Sequence, residues 1–346
     1  MTIRIAAVGF AHPHIHNQIK ALVDAGATLV AFWDEDAEKR AEAAERYPQA
    51  KEARSAEEIL EDETIHLVAS AAVPIDRAPL GIRVMEHGKD FECAKPGFVS
   101  LEQLAEVRRV QAETGRMYLV HYGERIDNPS TVKAAELALS GAIGQVIQTV
   151  GFGPHRFLGH VIPRPEWAKD VKFFGGILND LACHQIDQFL YFTQSTSAEI
   201  VQAQVANVHH RQFPNFEDFG DLNIRSNKAT GYIRVDWLTP RGLASWGDVR
   251  LFVLGTDGYM ELRKNIDIAG REGTNHLFVV DQQGARVVDC SEVPLPYGSQ
   301  LIDDVLNRTE TAMSQARCFL ASELTMRAQA RAKKMVLSTG QPKVAH

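Results

Sequence analysis

The sequence predicts an α/β protein in two parts: a doubly wound parallel sheet, then an α+β unit with a large, mostly antiparallel open sheet. Two observations carry this. Up to about residue 123, short apolar runs alternate with amphipathic helical stretches, the pattern of parallel strands covered by helices on both faces. Beyond about residue 125, longer runs with period-two alternation follow one another, separated by turn signals such as "TDG" and "SNKATG". That pattern belongs to a sheet with one face against helices.

The elements follow in order. "IRIAAVGF" is a buried strand, "HNQIKALVDAG" a helix closed by Gly26, and "TLVAFWD" a second strand. "DAEKRAEAAERY" reads as a polar-faced helix and "AEEILED" as a short one, before the apolar strand "IHLVASAA". The helix "DRAPLGIRVMEHG", the strand "DFECAKP" stopped by Pro96, the helix "LEQLAEVRRVQAETG" and the strand "RMYLVHY" complete the first part. "STVKAAELALSGAIG" is a further helix, and "LNIRS", "TGYIRVDW", "VRLFVLG", "GYMELRK" and "HLFVV" are strands. In "YIRVDW", Ile233, Val235 and Trp237 share one face, and Tyr232, Arg234 and Asp236 the other. The closing stretch from "QLIDDVLN" to "ARAKKMV" reads as a helix with a break that packs back on the body.

Composition narrows the function. The 346 residues suffice for two cores, and 45% hydrophobic with 23% charged residues is globular usage. A net charge of −7 without a basic tract argues against nucleic acid or an anionic membrane as partner. No apolar run approaches the roughly 20 residues of a membrane helix, and the chain enters a strand without a signal-peptide layout. Cys93, Cys183, Cys290 and Cys318 are scattered, so a disulfide scaffold is not expected and a cytoplasmic location is.

Two stretches carry candidate chemistry. In "FGGILNDLACHQID", Gly175 and Gly176 precede a helical run that places Asp180, His184 and Asp187 along one stripe. A carboxylate one turn from an imidazole can orient the ring and raise its pKa, preparing it to take a hydroxyl proton. The same spacing also occurs as a solvated helix pair of little consequence. In "FECAKPGFVS", Lys95 stands at a strand's carboxyl end, where ligands gather in open parallel sheets. Pro96 keeps residue 95 out of the helical region and permits a cis peptide. An ammonium there can steady a developing alkoxide, although most lysines in such loops are simply solvated.

Together with the strand-first beginning and "DNPSTVKAAELALSGAIGQV", these stretches resemble the glucose–fructose oxidoreductase / inositol dehydrogenase / rhizopine-catabolism (Gfo/Idh/MocA) family. The resemblance implies an NAD(P)-binding Rossmann domain over residues 1–123 and a substrate-binding and oligomerisation domain over 124–346. It implies Lys95, Asp180 and His184 as catalytic residues and a sugar, glycoside or cyclitol as substrate. A homodimer or homotetramer is the implied assembly. Ala94 stands where the family has glutamate, and Phe174 where it has the first of three glycines.

The opening loop, "GFAHPHIHNQI", departs from G-x-G-x-x-G: Gly9, Phe10, Ala11, His12, Pro13 and His14 occupy the fingerprint. Gly9 keeps the tight turn, Pro13 suits a first helical turn, and free N–H groups there would favour an anion, with His12 adding a donor. His12 and His16 share a helix face but His14 does not, and no acid or cysteine completes a set, so no metal is expected. Asp34, closing the second strand, can bond a ribose and repel a 2′-phosphate, or cap the next helix. No arginine follows it directly, and Lys39 and Arg40 lie a turn further on. NAD is therefore expected rather than NADP. Ala71, Val73 and Pro74 border the same cofactor site, and Lys95 its nicotinamide end.

Substrate contacts are expected from His121, Tyr122 and Arg125 after the last strand of the first part. His155, Arg156, His160, Arg164 and Trp167 in a loop-like stretch are further candidates, as are Asp180 and His184. The leading expectation is hydride transfer between a nicotinamide and a secondary hydroxyl or ketone. An NAD-assisted glycosidase or epimerase without net redox would show cleavage or inversion with no NADH. A non-catalytic cofactor-binding regulator would have no need of the acid–base trio.

Overall fold

The structure, a computed structural model, describes residues 2–157 and 165–336. The first part runs β1 (Arg4–Val8), α1 (His14–Asp24), β2 (Thr28–Trp33), α2 (Ala37–Arg46), β3 (Lys51–Glu52), α3 (Ala56–Glu61) and β4 (Leu67–Ser70). It continues with α4 (Pro74–Glu86), β5 (Asp90–Ala94), α5 (Leu101–Thr114) and β6 (Tyr118–His121). The six strands pair in parallel in the order β3-β2-β1-β4-β5-β6. Strand order reverses between β1 and β4, which creates the crevice used for ligands in such sheets. Every residue of β4 and β5 is buried, as an apolar run covered on both faces requires. Asp36, rather than Asp34, caps α2 by accepting the Glu38 N–H at 2.8 Å.

The second part begins with α6 (Gly123–Ile126), α7 (Pro129–Leu139), β7 (Val146–Pro154), α8 (Val171–Phe174) and α9 (Cys183–Thr193). β8 (Glu199–Ala206), β9 (Phe219–Arg225), β10 (Thr230–Asp236), β11 (Arg250–Gly255), β12 (Tyr259–Arg263), β13 (His276–Asp281) and β14 (Gly284–Val288) follow. The chain then forms α10 (Tyr297–Asn307), α11 (Gln315–Arg331) and β15 (Lys333–Lys334). The nine strands order as β14-β13-β12-β11-β7-β10-β9-β8-β15, with only β7–β10 and β8–β15 parallel.

The loop-like stretch expected around His155 and Arg156 begins with "GFGP", and those four residues are instead the end of the central strand β7. Its two glycines weaken the strand pattern because they make room for α9: a Cβ on Gly151 would come within 2.6 Å of Gln185 Cγ. The closing helix is two helices. α10 packs on α1, and α11 packs on α5 and β6. The Gln315 side chain accepts the Tyr118 N–H at 2.9 Å and donates to the Tyr118 carbonyl at 2.7 Å. It thus satisfies both backbone groups of Tyr118 on the edge strand β6. One core runs from the first sheet through Phe98 and Phe319 to Leu178 and Leu181. That continuity packs the two parts against each other, with Lys95 and Asp180 meeting at their junction.

Candidate active site

The β1–α1 turn presses against the β4–α4 turn. Gly9 has φ +86°, and a Cβ there would lie 2.6 Å from the Ala72 Cβ, so only glycine fits. The Ala71 N–H donates to the Gly9 carbonyl and the His12 N–H to the Ala71 carbonyl, both at 3.0 Å. A groove of about 430 Å³ opens at the carboxyl ends of β1, β2 and β4, lined by Gly9, Ala11, Trp33, Asp34, Val73 and Asp76 among others. Four of the expected cofactor residues therefore meet in one groove.

Other expected cofactor residues serve the loop itself. Phe10 is buried against Phe32, and its N–H donates to the Asp34 carboxylate. Ala71 is buried, and Pro74 is buried at the first turn of α4. The His12 Nδ1 accepts the His14 N–H at 3.2 Å, so a neutral His12 ring carries its proton on Nε2. The Ile15 and His16 N–H groups donate to the carbonyls of His12 and Pro13. The first-turn amides expected to await an anion are thus already bonded, because the proline turn folds the loop back onto them.

Lys95 is placed by residues far from it in sequence. Arg77, 1% exposed, donates from Nε to the Ala72 carbonyl at 2.7 Å and from Nη1 to the Ala94 and Pro96 carbonyls at 2.9 Å. The Lys95–Pro96 peptide is cis. On the facing side, Asn179 Nδ2 donates to the Phe98 and Phe174 carbonyls at 2.8 and 3.0 Å. Gln329 accepts the Leu178 N–H at 3.0 Å and donates to Glu217, closing the glycine turn from behind. A Cβ on Gly176 would overlap that glutamine at 2.2 Å. Leu178–Ala182 then forms a π turn leading into α9, a local widening frequent at functional sites.

Across this junction the Lys95 ammonium donates to Asp180 Oδ1 at 2.8 Å and to the Asp180 carbonyl at 3.0 Å. His184 is 4% exposed, and its Nδ1 is buried without a hydrogen-bond partner. Burial first, then the Lys95 charge and more distant cations, hold its pKa well below 6.5. Burial, then His12, Lys95 and His184, do the same to His14, which puts His14 within electrostatic reach of this centre. The expectation that Asp180 raises the His184 pKa is corrected. Its carboxylate is committed to a full cation, a charge-assisted bond stronger than one to a neutral ring. Asp187, expected on the same stripe, instead pairs with Arg125 and lies 3.8 Å from Arg317.

The remaining expected substrate residues disperse. His121 is buried between Glu92 Oε1 at 2.8 Å and Asp127 Oδ2 at 2.9 Å, with the Tyr297 hydroxyl also donating to Glu92 at 2.7 Å. Burial opposes its charge, but Asp127 and then Glu92 raise the pKa to about 10. Tyr122 stacks edge-on to His184 at 6.3 Å, but its hydroxyl pairs with Ser322 at 3.1 Å inside the core. Arg125 faces a different cavity with Tyr191 and Arg317. Arg156 spans three carbonyls of the 240–245 loop, which makes it a loop staple. His155 lies between Trp237 and Trp246 at 5.2 and 4.6 Å, and Trp167 packs against the core from a short 3₁₀ turn. His160 and Arg164 lie outside the described residues.

Sequence reading missed Arg77, Asn179, Gln329 and the Glu92–His121–Asp127 cluster. For Arg77 a signal exists: it shares the inward stripe of α4 with Gly81, Val84 and Met85 at helical spacing. For the others, local pattern carries nothing.

A cofactor-type groove on the parallel sheet, together with a lysine–aspartate contact and a buried histidine where the first part meets the helices of the second, has the make-up of a two-part nicotinamide-dependent oxidoreductase. The chain belongs to the Gfo/Idh/MocA family. Residues 3–122 match the oxidoreductase family with an NAD-binding Rossmann fold, and residues 131–261 match the GFO/IDH/MocA C-terminal domain. A crystal structure from Erwinia carotovora atroseptica SCRI1043, bearing a provisional oxidoreductase name, is 45% identical with a TM-score of 0.93, covering 97% of this chain and all of that one. Scyllo-inositol 2-dehydrogenase (NAD(+)) of Bacillus subtilis strain 168 is 24% identical over 298 residues, 81% of each chain. D-xylose dehydrogenase of Paenarthrobacter nicotinovorans is 28% identical over 147 residues, 41% of this chain and 37% of that enzyme. Among the described residues, no helix is long and apolar enough to cross a membrane.

Proposed function

We propose that this protein transfers a hydride between NAD and a secondary hydroxyl or ketone of a sugar or cyclitol. The carrying observation is the Lys95–Asp180 contact, which brings the ammonium of one sheet to the helix that bears His184. The groove suits a dinucleotide: it lies at the strand-order switch, and Gly9, which has no room for a Cβ against Ala72, gives the tight β1–α1 turn that borders it. When bound there, the nicotinamide supplies the carbon that takes or gives the hydride. Gly9, Ala11, Asp34 and Val73 would hold the dinucleotide. Lys95 donates a hydrogen bond to the substrate oxygen and stabilises its negative charge. His184, uncharged, takes the hydroxyl proton on Nε2, the nitrogen opposite its buried Nδ1. Asp180 is a positioning residue that holds Lys95.

NAD is preferred because the groove is acidic. Asp34, Glu35, Glu57 and Asp76 line it with Arg83, and Arg83 is paired with Glu57. Arg40 turns away to the Asp34 and Glu35 carbonyls and to Glu52. A 2′-phosphate would meet four carboxylates, with the one cation lining the groove, Arg83, already held by one of them. Fluorescence titration is expected to show NADPH binding at least about tenfold weaker than NADH, and Asp34→Ala is expected to narrow that gap. Equal affinities in the wild type would refute the preference.

The sugar or cyclitol class is supported by the names of the inositol and xylose dehydrogenase relatives. The division of labour between residues 1–123 and 124–346, a cytoplasmic location and a homo-oligomer are parts of the same proposal. Leu254 and Tyr259, paired across β11 and β12 and exposed at 40% and 48%, offer apolar surface to a second copy.

NADH formation across a panel of cyclitols, pentoses and hexoses tests the reading. His184→Asn is expected to lower kcat by about 10²–10⁴-fold. Because the His184 pKa is depressed, the ring stays neutral as pH falls past 6.5. The acid limb of kcat/KM should therefore begin below the ordinary histidine range. A limb centred at or above 6.5 would contradict His184 as the base.

A further inference from the structure

The structure assigns a second binding site, for a small oxyanion such as a carboxylate or phosphate, to the cavity where Arg125 and Arg317 meet, and we propose it as an effector site. The cavity, about 200 Å³, is lined by Arg125, Arg317, Tyr191, Gln300, Thr311 and Ser314 among others, and no residue of the Lys95 centre borders it. Both guanidinium groups lie 4.8 Å from the Tyr191 ring centroid. They share one carboxylate. Asp187 bonds Arg125 closely, but its nearest approach to Arg317 is 3.8 Å, too long for a hydrogen bond.

Donors therefore exceed acceptors at this spot. Arg125 Nη2 and Arg317 Nε are buried without hydrogen-bond partners, two donors against a single acceptor in the same condition, Asp187 Oδ1. Burial, then the neighbouring Arg125 charge, pull the Arg317 pKa below its ordinary value, as expected for two cations on one anion. Asp187 lies behind the cavity wall, and Glu310, the acid that does line the cavity, accepts the Gln315 N–H and makes no ion pair with Arg317 within 4.0 Å. Two arginines with unused donors beside a cavity of about 200 Å³ are completed by an oxyanion binding through the planar donor forks. Asp187 stands three residues after His184 on α9, so occupancy bears on the helix that carries the proposed base.

Thermal melts of the full chain test this, with sodium phosphate in one arm and sodium oxalate in the other, against sodium chloride at equal ionic strength. The expected result is a saturable Tm rise of about 3–6 °C in at least one arm, which also identifies the head group. In Arg317→Gln the rise disappears while NADH binding is unchanged, and in Arg317→Lys the midpoint concentration increases at least about fivefold. Shifts no larger than with chloride in both arms, or the same shift in both variants as in the wild type, would overturn the proposal. If Arg317→Gln gives no cooperative melt, the Arg317→Lys comparison decides.

Discussion

Replacing Lys95 by methionine is expected to lower kcat by about 10²–10³-fold while leaving NADH affinity within about twofold. Methionine keeps the unbranched chain up to the Cε position but removes the ammonium, with its charge and its donors. The ammonium contributes only as negative charge grows on the substrate oxygen, so its loss falls on kcat rather than on cofactor binding. Lys95→Arg should rescue little, because the Asp180 carboxylate and carbonyl receive one compact ammonium at 2.8 and 3.0 Å, a geometry the planar guanidinium does not reproduce. Asp180→Asn should lower kcat less than Lys95→Met does, since it loosens the ammonium without removing it. Stopped-flow turnover with parallel fluorescence titration separates the two effects. If Lys95→Met turns over within about threefold of the wild type, the oxygen-stabilising role is wrong.

The second large effect concerns stability. His121→Leu is expected to destabilise the fold by about 3–5 kcal/mol in urea unfolding, because it leaves the buried Glu92 carboxylate and Asp127 facing each other without their shared cation. Tyr297→Phe, which removes one hydroxyl donor from Glu92, should cost about 1–2 kcal/mol. The pH dependence has a definite sign. The His121 pKa is raised to about 10 in the fold, so its contribution is complete below the unfolded value near 6.5. That contribution is lost progressively as pH climbs from there through about 10. Wild type should therefore lose urea resistance between pH 7 and pH 10, and His121→Leu should lose much less. Parallel losses in the two proteins would show that the cluster is not the source.

The roles originally expected of His121, Tyr122 and Arg125 show where sequence reading runs out. All three follow the last parallel strand, where substrate contacts were expected, and all three are buried with partners of their own. A strand end places a residue near the crevice, but the direction of its side chain depends on what packs behind the sheet. Here α10 and α11 supply Tyr297 and Ser322 to that packing. The strand β7 was partly hidden for a related reason. Its glycines exist to admit α9, so the composition that weakens the local pattern reflects a contact made elsewhere.

Alternating strands and helices, the change to period-two runs, the tight turn at Gly9, the Lys95–Pro96 strand end and the glycine-led Asp180–His184 helix were all legible in the sequence alone. Each is a local matter of periodicity, turn chemistry or spacing, set by residues within a few positions of one another. Partner choice was decided only by the tertiary structure. Asp180 went to Lys95 across 85 residues, Asp187 to Arg125 across 62, and His121 to Glu92 across 29. A buried charge takes whichever opposite charge the packed core brings within reach, and no local pattern records that distance.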